Sequence, residues 1–218
     1  MQPKLLVLAS GGSEPDSGGS GFENLIHSCR IGQLKAQIVG VVCNHEHGGV
    51  RTRADRHGVR FFHFPGPWTA ERYQEIAEKS EADFFACSGW LKLVCGLDPK
   101  TQFNSRTVFN IHPGLLPQFG GPGMWGHHVH EAVMEAYRRG EITHSGMCMH
   151  FVTEQYDRGP VFCRREVTIK EDDTPDTLGK RVNECEHEWQ PIMTNRVVHG
   201  QIRWDGKDPR SLVLPLVG

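Results

Sequence analysis

The chain has no C-x-x-C pair, no Lys/Arg-rich block, no apolar run long enough to cross a bilayer and no repeat or long linker. Each absence closes off a class of function. Seven cysteines, Cys29, Cys43, Cys87, Cys95, Cys148, Cys163 and Cys185, are odd in number and scattered. They read as reduced thiols rather than a disulfide frame or a zinc site. A formal charge of -2 without a basic block argues against a nucleic-acid platform. The apolar stretch before Ser10 is too brief for a signal h-region and nothing approaches a membrane span, so the expected location is the cytoplasm. What remains is a chain of 218 residues with ordinary apolar and charged fractions, expected to fold as a single domain over residues 1–218. Thirteen histidines are its one compositional anomaly.

Short apolar runs at residues 4–9, 36–43, 59–64, 82–88 and 107–112 have the pattern of buried parallel strands. Helical segments separate most of them, at 22–31, 48–57 and from an N-cap at Thr69 to 79. The alternation predicts an α/β fold: a Rossmann-like, doubly wound, mostly parallel sheet. The stretch 127–139 reads as an amphipathic helix with Val129, Ala132, Val133, Ala136 and Tyr137 on its apolar face and Gly140 as its stop. Residues 147–153 and 161–169 form a C-terminal antiparallel strand pair. Asp173-Thr174-Pro175 then opens a long helix to about 199, which Pro191 is expected to bend or divide. Residues 201–204 are a possible last short strand.

Three stretches carry candidate chemistry. The first strand feeds a Gly/Ser-rich turn, residues 10–21, and then a helix, a layout in which backbone amides can hold a phosphate. The turn lacks a P-loop lysine and a clean Gly-x-Gly-x-x-Gly, so a flexible loop without a ligand stays equally open. Residues 89–94 form an apolar turn at a strand end, which by itself indicates core packing. The third stretch is Asn110-Ile111-His112-Pro113-Gly114-Leu115-Leu116-Pro117. Residues i and i+2 of a strand share a face, and Pro113 stops the strand, so Asn110 and His112 stand together at its C-terminal rim. An amide donor and an imidazolium suit an oxyanion formed in acyl transfer, and a carboxylate such as Asp157 would favour the charged ring. The residues alone equally allow a turn cap, a rim histidine and an ordinary turn former. His127, His128 and His130 have no carboxylate or cysteine at partner spacing and read as solvated side chains.

The order of these motifs resembles the folate-dependent phosphoribosylglycinamide formyltransferases of the formyltransferase superfamily. Asn110 to Pro117 with Gly120-Gly121 carries the resemblance most specifically. His150-Phe151-Val152-Thr153 with Asp157-Arg158-Gly159-Pro160, and Glu186-His187 with Pro191, extend it through most of the chain. The resemblance implies that Asn110, His112 and Asp157 are catalytic, with His112 the acid, Asn110 sharing the oxyanion and Asp157 keeping the imidazole charged. It implies a pterin pocket of Leu91, Lys92, Leu93 and Val94, closed by Thr153, Gln155 and Tyr156. It also implies that Gly19, Ser20, Gly21 and Phe22 hold the phosphate of the acceptor. Pro113, Gly114, Asn183 and Glu186 complete that side, with Glu186 on the ribose hydroxyls.

The reaction implied is formyl transfer from 10-formyltetrahydrofolate to the amine of glycinamide ribonucleotide, a step of purine biosynthesis, with no metal. The expected partners are these small molecules, in a monomer or homodimer, with no nucleic acid and no membrane. The family's compact Gly-x-Gly-Ser-Asn turn is replaced here by a longer Gly/Ser loop, and the Asn side chain next to Ser20 is missing. Three rivals remain. A formyltetrahydrofolate hydrolase shares the Asn, His and Asp set, but those enzymes carry an extra N-terminal domain, whereas this chain starts at its first strand. The others are a nucleotide-sugar N-formyltransferase and a non-catalytic folate- or nucleotide-binding domain.

Overall fold

The computed structural model describes residues 1–215, so the last three residues of the expected 1–218 domain lie outside the described residues. Seven strands form one sheet in the order β3-β2-β1-β4-β5-β6-β7. The parallel part is β1 (Lys4–Leu8), β2 (Gln37–Cys43), β3 (Phe61–His63), β4 (Phe84–Ser88) and β5 (Val108–His112). β6 (His144–Phe151) runs antiparallel to β5, and β7 (Val161–Thr168) antiparallel to β6, as expected for the C-terminal pair. The chain builds outward from β1 to β3, then returns to lay β4 on the other side of β1. That reversal opens a crevice beyond the carboxyl ends of β1 and β4.

Alternation along the strands divides the core in two. Leu5, Val7, Val41, Ala86, Phe109 and Ile111 face α1 (Ser20–Arg30), α2 (Gly49–His57), α4 (His127–Arg138) and α5 (Pro175–Val198). Leu6, Leu8, Val42, Phe85, Cys87 and Val108 face α3 (Ala70–Ser80) and the connection after β4, through Tyr73, Trp90, Val94 and Phe103. Helices therefore cover both faces, the condition for a parallel sheet of continuous apolar strands. All seven cysteines are free thiols. Among the described residues no helix is long and apolar enough to cross a membrane.

The structure departs from the sequence reading at three helices. α1 begins at Ser20, two residues before the expected start, so the end of the Gly/Ser loop is its first turn. In α4, Val129, Val133 and Ala136 are buried as expected, but Ala132 and Tyr137 are only partly so, and His130 and Met134 complete the buried face. His130 is thus not the solvated side chain that the residue pattern indicated. Glu131 does stand at partner spacing, within salt-bridge distance of His127 and His128.

The third departure is α5, which runs unbroken for 24 residues through Pro191. Proline lacks the N–H that would bond the carbonyl of residue 187. Asn24 of α1 supplies the missing donor, its Nδ2 lying 2.7 Å from the His187 carbonyl. Thr174 opens the helix with a capping box closed by Thr177, and Pro175 fills the first position. Beyond α5 the expected strand at 201–204 is reduced to one bridge, Arg203 with Val213.

Candidate active site

A cleft of about 500 Å³ lies beyond the carboxyl ends of β1, β4 and β5. A side recess of about 50 Å³ adjoins it, and Trp90, Asn110, Tyr156 and Asp157 line both. Asn110 and His112 share one face of β5, because Phe109 and Ile111, which alternate with them, point into the opposite core. His112 is 3 % exposed. Asp157 arrives from the β6–β7 connection in a left-handed conformation, φ 53°, which a non-glycine residue adopts only where its surroundings hold it. Its Oδ1 lies 3.7 Å from His112 Nδ1, and Gly121 N–H donates to its Oδ2 at 2.9 Å. A Cβ on Gly120 would lie 3.0 Å from the Asp157 Cβ, so only glycine lets the 118–126 segment pack this close.

A second imidazole, to which the sequence reading gave no role, completes the group. His150 faces Asn110 across the β5–β6 ladder. Its Nδ1–H donates to the Phe151 carbonyl at 2.8 Å, which leaves Nε2 as an acceptor for Asn110 Nδ2–H at 3.1 Å. His150 Nε2 is also 3.4 Å from Asp157 Oδ1. One N–H of Asn110 is therefore held by His150, and the other is free for an oxyanion. The signal for His150 was its position in a strand antiparallel to β5, but only the register of that pairing puts it opposite Asn110.

The two ionisable partners are pulled in defined directions. Burial pushes the Asp157 carboxyl up. The Gly121 N–H and the neighbouring His112 outweigh burial and hold it below the usual carboxylate range. For His112 the balance is reversed. Burial lowers its pKa more than Asp157 and the Phe119 carbonyl raise it, with His150 adding to the lowering. The resemblance implies that Asp157 keeps the imidazole charged; in this geometry burial outweighs Asp157 and favours the neutral ring. Its Nε2 lies 2.6 Å from the Phe119 carbonyl while Nδ1 faces Asp157, so a neutral ring satisfies one of two acceptors and a protonated ring satisfies both. His112 is thereby arranged to gain charge when negative charge develops beside it.

The remaining predicted residues divide between cleft and core. Gly19, Ser20, Gly21, Pro113, Asn183 and Glu186 line the cleft. Phe22 does not: it is fully buried in the core, because position 22 lies on the inner face of α1. Gly114 is likewise corrected, being packed under His112 where a Cβ would meet Val129 at 2.8 Å. Lys92, Leu93, Val94, Thr153, Gln155 and Tyr156 line the small recess, whereas Leu91 turns to the main cleft. The 89–94 turn is anchored by Leu91 N–H to Ser10 Oγ and by Tyr73, whose hydroxyl accepts from Trp90 Nε1 and donates to the Leu93 carbonyl.

Several groups on the far wall were not singled out by sequence. Ser88, His130 and Gln190 line the cleft. His130 Nδ1 has no partner among the described residues, and burial, with His127 and His112 nearby, lowers its pKa to about 4. One group of side chains with metal-ligating atoms stands together elsewhere, Glu23, His27 and His57. Glu23 there is already bonded to Arg53, Arg56 and His57.

Glu186 is pushed up to about 7 by desolvation, against a single lowering contact from Asn183 Nδ2 at 3.1 Å. The folded chain favours the protonated carboxyl, so stability present below the unfolded pKa of about 4.5 is lost as pH rises toward 7. Glu186→Gln mimics the protonated form. It is expected to change unfolding free energy little at about pH 4.5 and to raise it by about 1–3 kcal/mol at about pH 8. Urea denaturation at the two pH values checks this; equal differences at both would show that Glu186 is not desolvated.

Comparison with known proteins gives consistent findings. The family model described as "Formyl transferase" matches residues 4–194. A chloroplastic phosphoribosylglycinamide formyltransferase of Arabidopsis thaliana is 32 % identical over 208 residues, 92 % of this chain and 67 % of that protein. The chain thus spans about two thirds of the length of that plant relative. The phosphoribosylglycinamide formyltransferase of Bacillus subtilis (strain 168) is 30 % identical over 202 residues, 89 % of this chain and 94 % of that one. The crystal structure of glycinamide ribonucleotide transformylase 1 from Symbiobacterium toebii superposes with a TM-score of 0.80 at 25 % identity, covering 98 % of this chain and 94 % of that chain.

Proposed function

The chain belongs to the formyl transferase family, and from that premise we propose that it transfers the formyl group of 10-formyltetrahydrofolate to the primary amine of glycinamide ribonucleotide. The carrying observation is the convergence of Asn110, His112, Asp157 and His150 at the junction of the main cleft and the recess. In this reading residues 1–218 act as one formyltransferase domain. The acceptor lies along the main cleft, its phosphate at Gly19, Ser20 and Gly21 and its ribose at Asn183 and Glu186. The folate ring enters at the recess, where Leu93, Val94, Val152 and Trp90 give an apolar wall for a flat heterocycle. A bicyclic ring exceeds the recess volume, so the exposed Gln155 and Tyr156 must swing outward to admit it.

The donor supplies an electrophilic formyl carbon on nitrogen; the remaining steps fall to this chain's residues. The amine nitrogen bonds to that carbon, and the carbonyl oxygen takes the electron pair. The free N–H of Asn110 and the His112 ring stabilise the oxyanion in a site shielded from water. His112 takes the proton that the new ammonium sheds and returns it to the folate nitrogen as the carbon–nitrogen bond to the donor breaks. Asp157 offsets the charge that His112 carries between those two events. His150 keeps the Asn110 amide turned toward the reacting centre. No residue forms a covalent bond to the formyl group.

The test is a tetrahydrofolate-release assay with 10-formyltetrahydrofolate, with and without glycinamide ribonucleotide. Release is expected only with the acceptor. Equal release without it would make the protein a hydrolase. Release with an amino-sugar nucleotide alone would move the acceptor to that class, and none under any condition would leave a binding domain.

A further inference from the structure

We propose that Gln190 is a specificity-determining residue of the acceptor site, its side-chain N–H groups holding a phosphate monoester beside the first amides of α1. The inference rests on the acceptor reading above and identifies what α5 contributes to it. α1 starts after Gly19, at φ 81° and ψ 9°, with no side chain capping its first amides. Those amides sit beside the cleft that Gly18, Gly19, Ser20 and Gly21 line. An uncapped helix start is common and does not by itself define a ligand.

Gln190 supplies the independent observation. It comes from α5, lines the same cleft and is 1 % exposed. Its Oε1 accepts from Ser88 Oγ at 3.3 Å, which fixes the amide, while Nε2 has no hydrogen-bond partner among the described residues. Buried polar groups are almost always satisfied, and exceptions point to a partner that arrives with function. Gly21 shows why the donor comes from α5. A Cβ at position 21 would lie 2.3 Å from Ser88 Oγ and 3.2 Å from Gln190 Oε1. The Ser88–Gln190 pair fills the space that a side chain on the loop would need, so the loop itself can offer only backbone.

The ligand chemistry follows from the donors. No lysine or arginine is among the described residues lining the cleft, so an anion there meets neutral N–H groups. Backbone amides and a carboxamide converging from two helices suit a group with several acceptor oxygens and no proton to give back. His187 Nε2, 3.3 Å from Ser20 Oγ, fixes that hydroxyl at the same end, and burial keeps the His187 ring neutral by lowering its pKa.

The experiment compares wild type, Gln190→Leu and Gln190→Glu with glycinamide ribonucleotide and with its dephosphorylated ribonucleoside. A lost hydrogen bond to a charged group predicts that Gln190→Leu raises the ribonucleotide KM by about tenfold to hundredfold with kcat and donor KM nearly unchanged. Gln190→Glu, which adds a carboxylate facing the anion, raises it further. With the dephosphorylated acceptor, wild type and both variants give the same kcat/KM. A proportionate loss with both acceptors, or an unchanged ribonucleotide KM in Gln190→Leu, overturns the proposal. If wild type itself shows no acceptor-dependent turnover, the functional reading fails separately. Titration calorimetry with ribose 5-phosphate then decides: binding by wild type that Gln190→Leu loses supports the phosphate role, and no binding or equal binding overturns it.

Discussion

Replacing His112 with alanine is expected to lower single-turnover formyl transfer by about three to four orders of magnitude, while donor and acceptor affinities change only a few-fold. The size follows from two tasks carried by one ring: stabilising the oxyanion and moving the proton between the amine and the folate nitrogen. The affinity expectation follows from location, since the ring is 3 % exposed and offers little surface to either substrate. Rapid-quench turnover with separate binding titrations tests both, and a loss of less than about tenfold would remove His112 from the chemistry. A pH profile gives a second readout. Burial holds the His112 pKa below its usual value, so the ring takes up the amine proton only above that pKa. The rate should fall as pH drops through a point below the ordinary histidine value and stay level above it.

Asp157→Asn is expected to cost about a hundredfold or more in kcat, since an isosteric amide keeps the volume but removes the charge that offsets protonated His112. The carboxylate is held ionised by His112 and the Gly121 N–H despite burial. Its effect on His112 is to raise that pKa. The variant should therefore also shift the acidic limb of the rate profile to lower pH, which a merely misfolded loop would not do. Turnover within about tenfold of wild type, or an unmoved acidic limb, would show that Asp157 only shapes the turn. The backbone supports this choice of variant: φ 53° is a left-handed conformation that Asp and Asn tolerate better than other side chains, so asparagine keeps the turn while removing the charge.

The apolar runs and the turns between them made the doubly wound, mostly parallel character of the sheet legible, because strands and helices alternate, whereas the strand order came only with the structure. Asn110 and His112 could be placed on one rim from strand period alone. Other features needed distances that no local pattern carries. His150 becomes the partner of Asn110 only through the β5–β6 register. Position 22 was grouped with the phosphate-holding residues, yet its side chain points into the core once α1 is known to start at Ser20. The balance of charge at His112 was not legible because a nearby carboxylate can be inferred from sequence, whereas the desolvation that outweighs it depends on how deeply the ring is packed. Pro191 was expected to bend or divide the helix because Asn24, which satisfies the freed His187 carbonyl, lies 163 residues before that carbonyl in the chain.

That contact couples two positions far apart in the chain. Pro191 frees the His187 carbonyl and Asn24 occupies it, so the two substitutions Asn24→Ala and Pro191→Ala are expected to be non-additive in stability. The pair also joins the helix that begins at the phosphate loop to the helix that carries Glu186 and Gln190. Removing either residue is therefore expected to change the spacing between α1 and α5 along the cleft they both line.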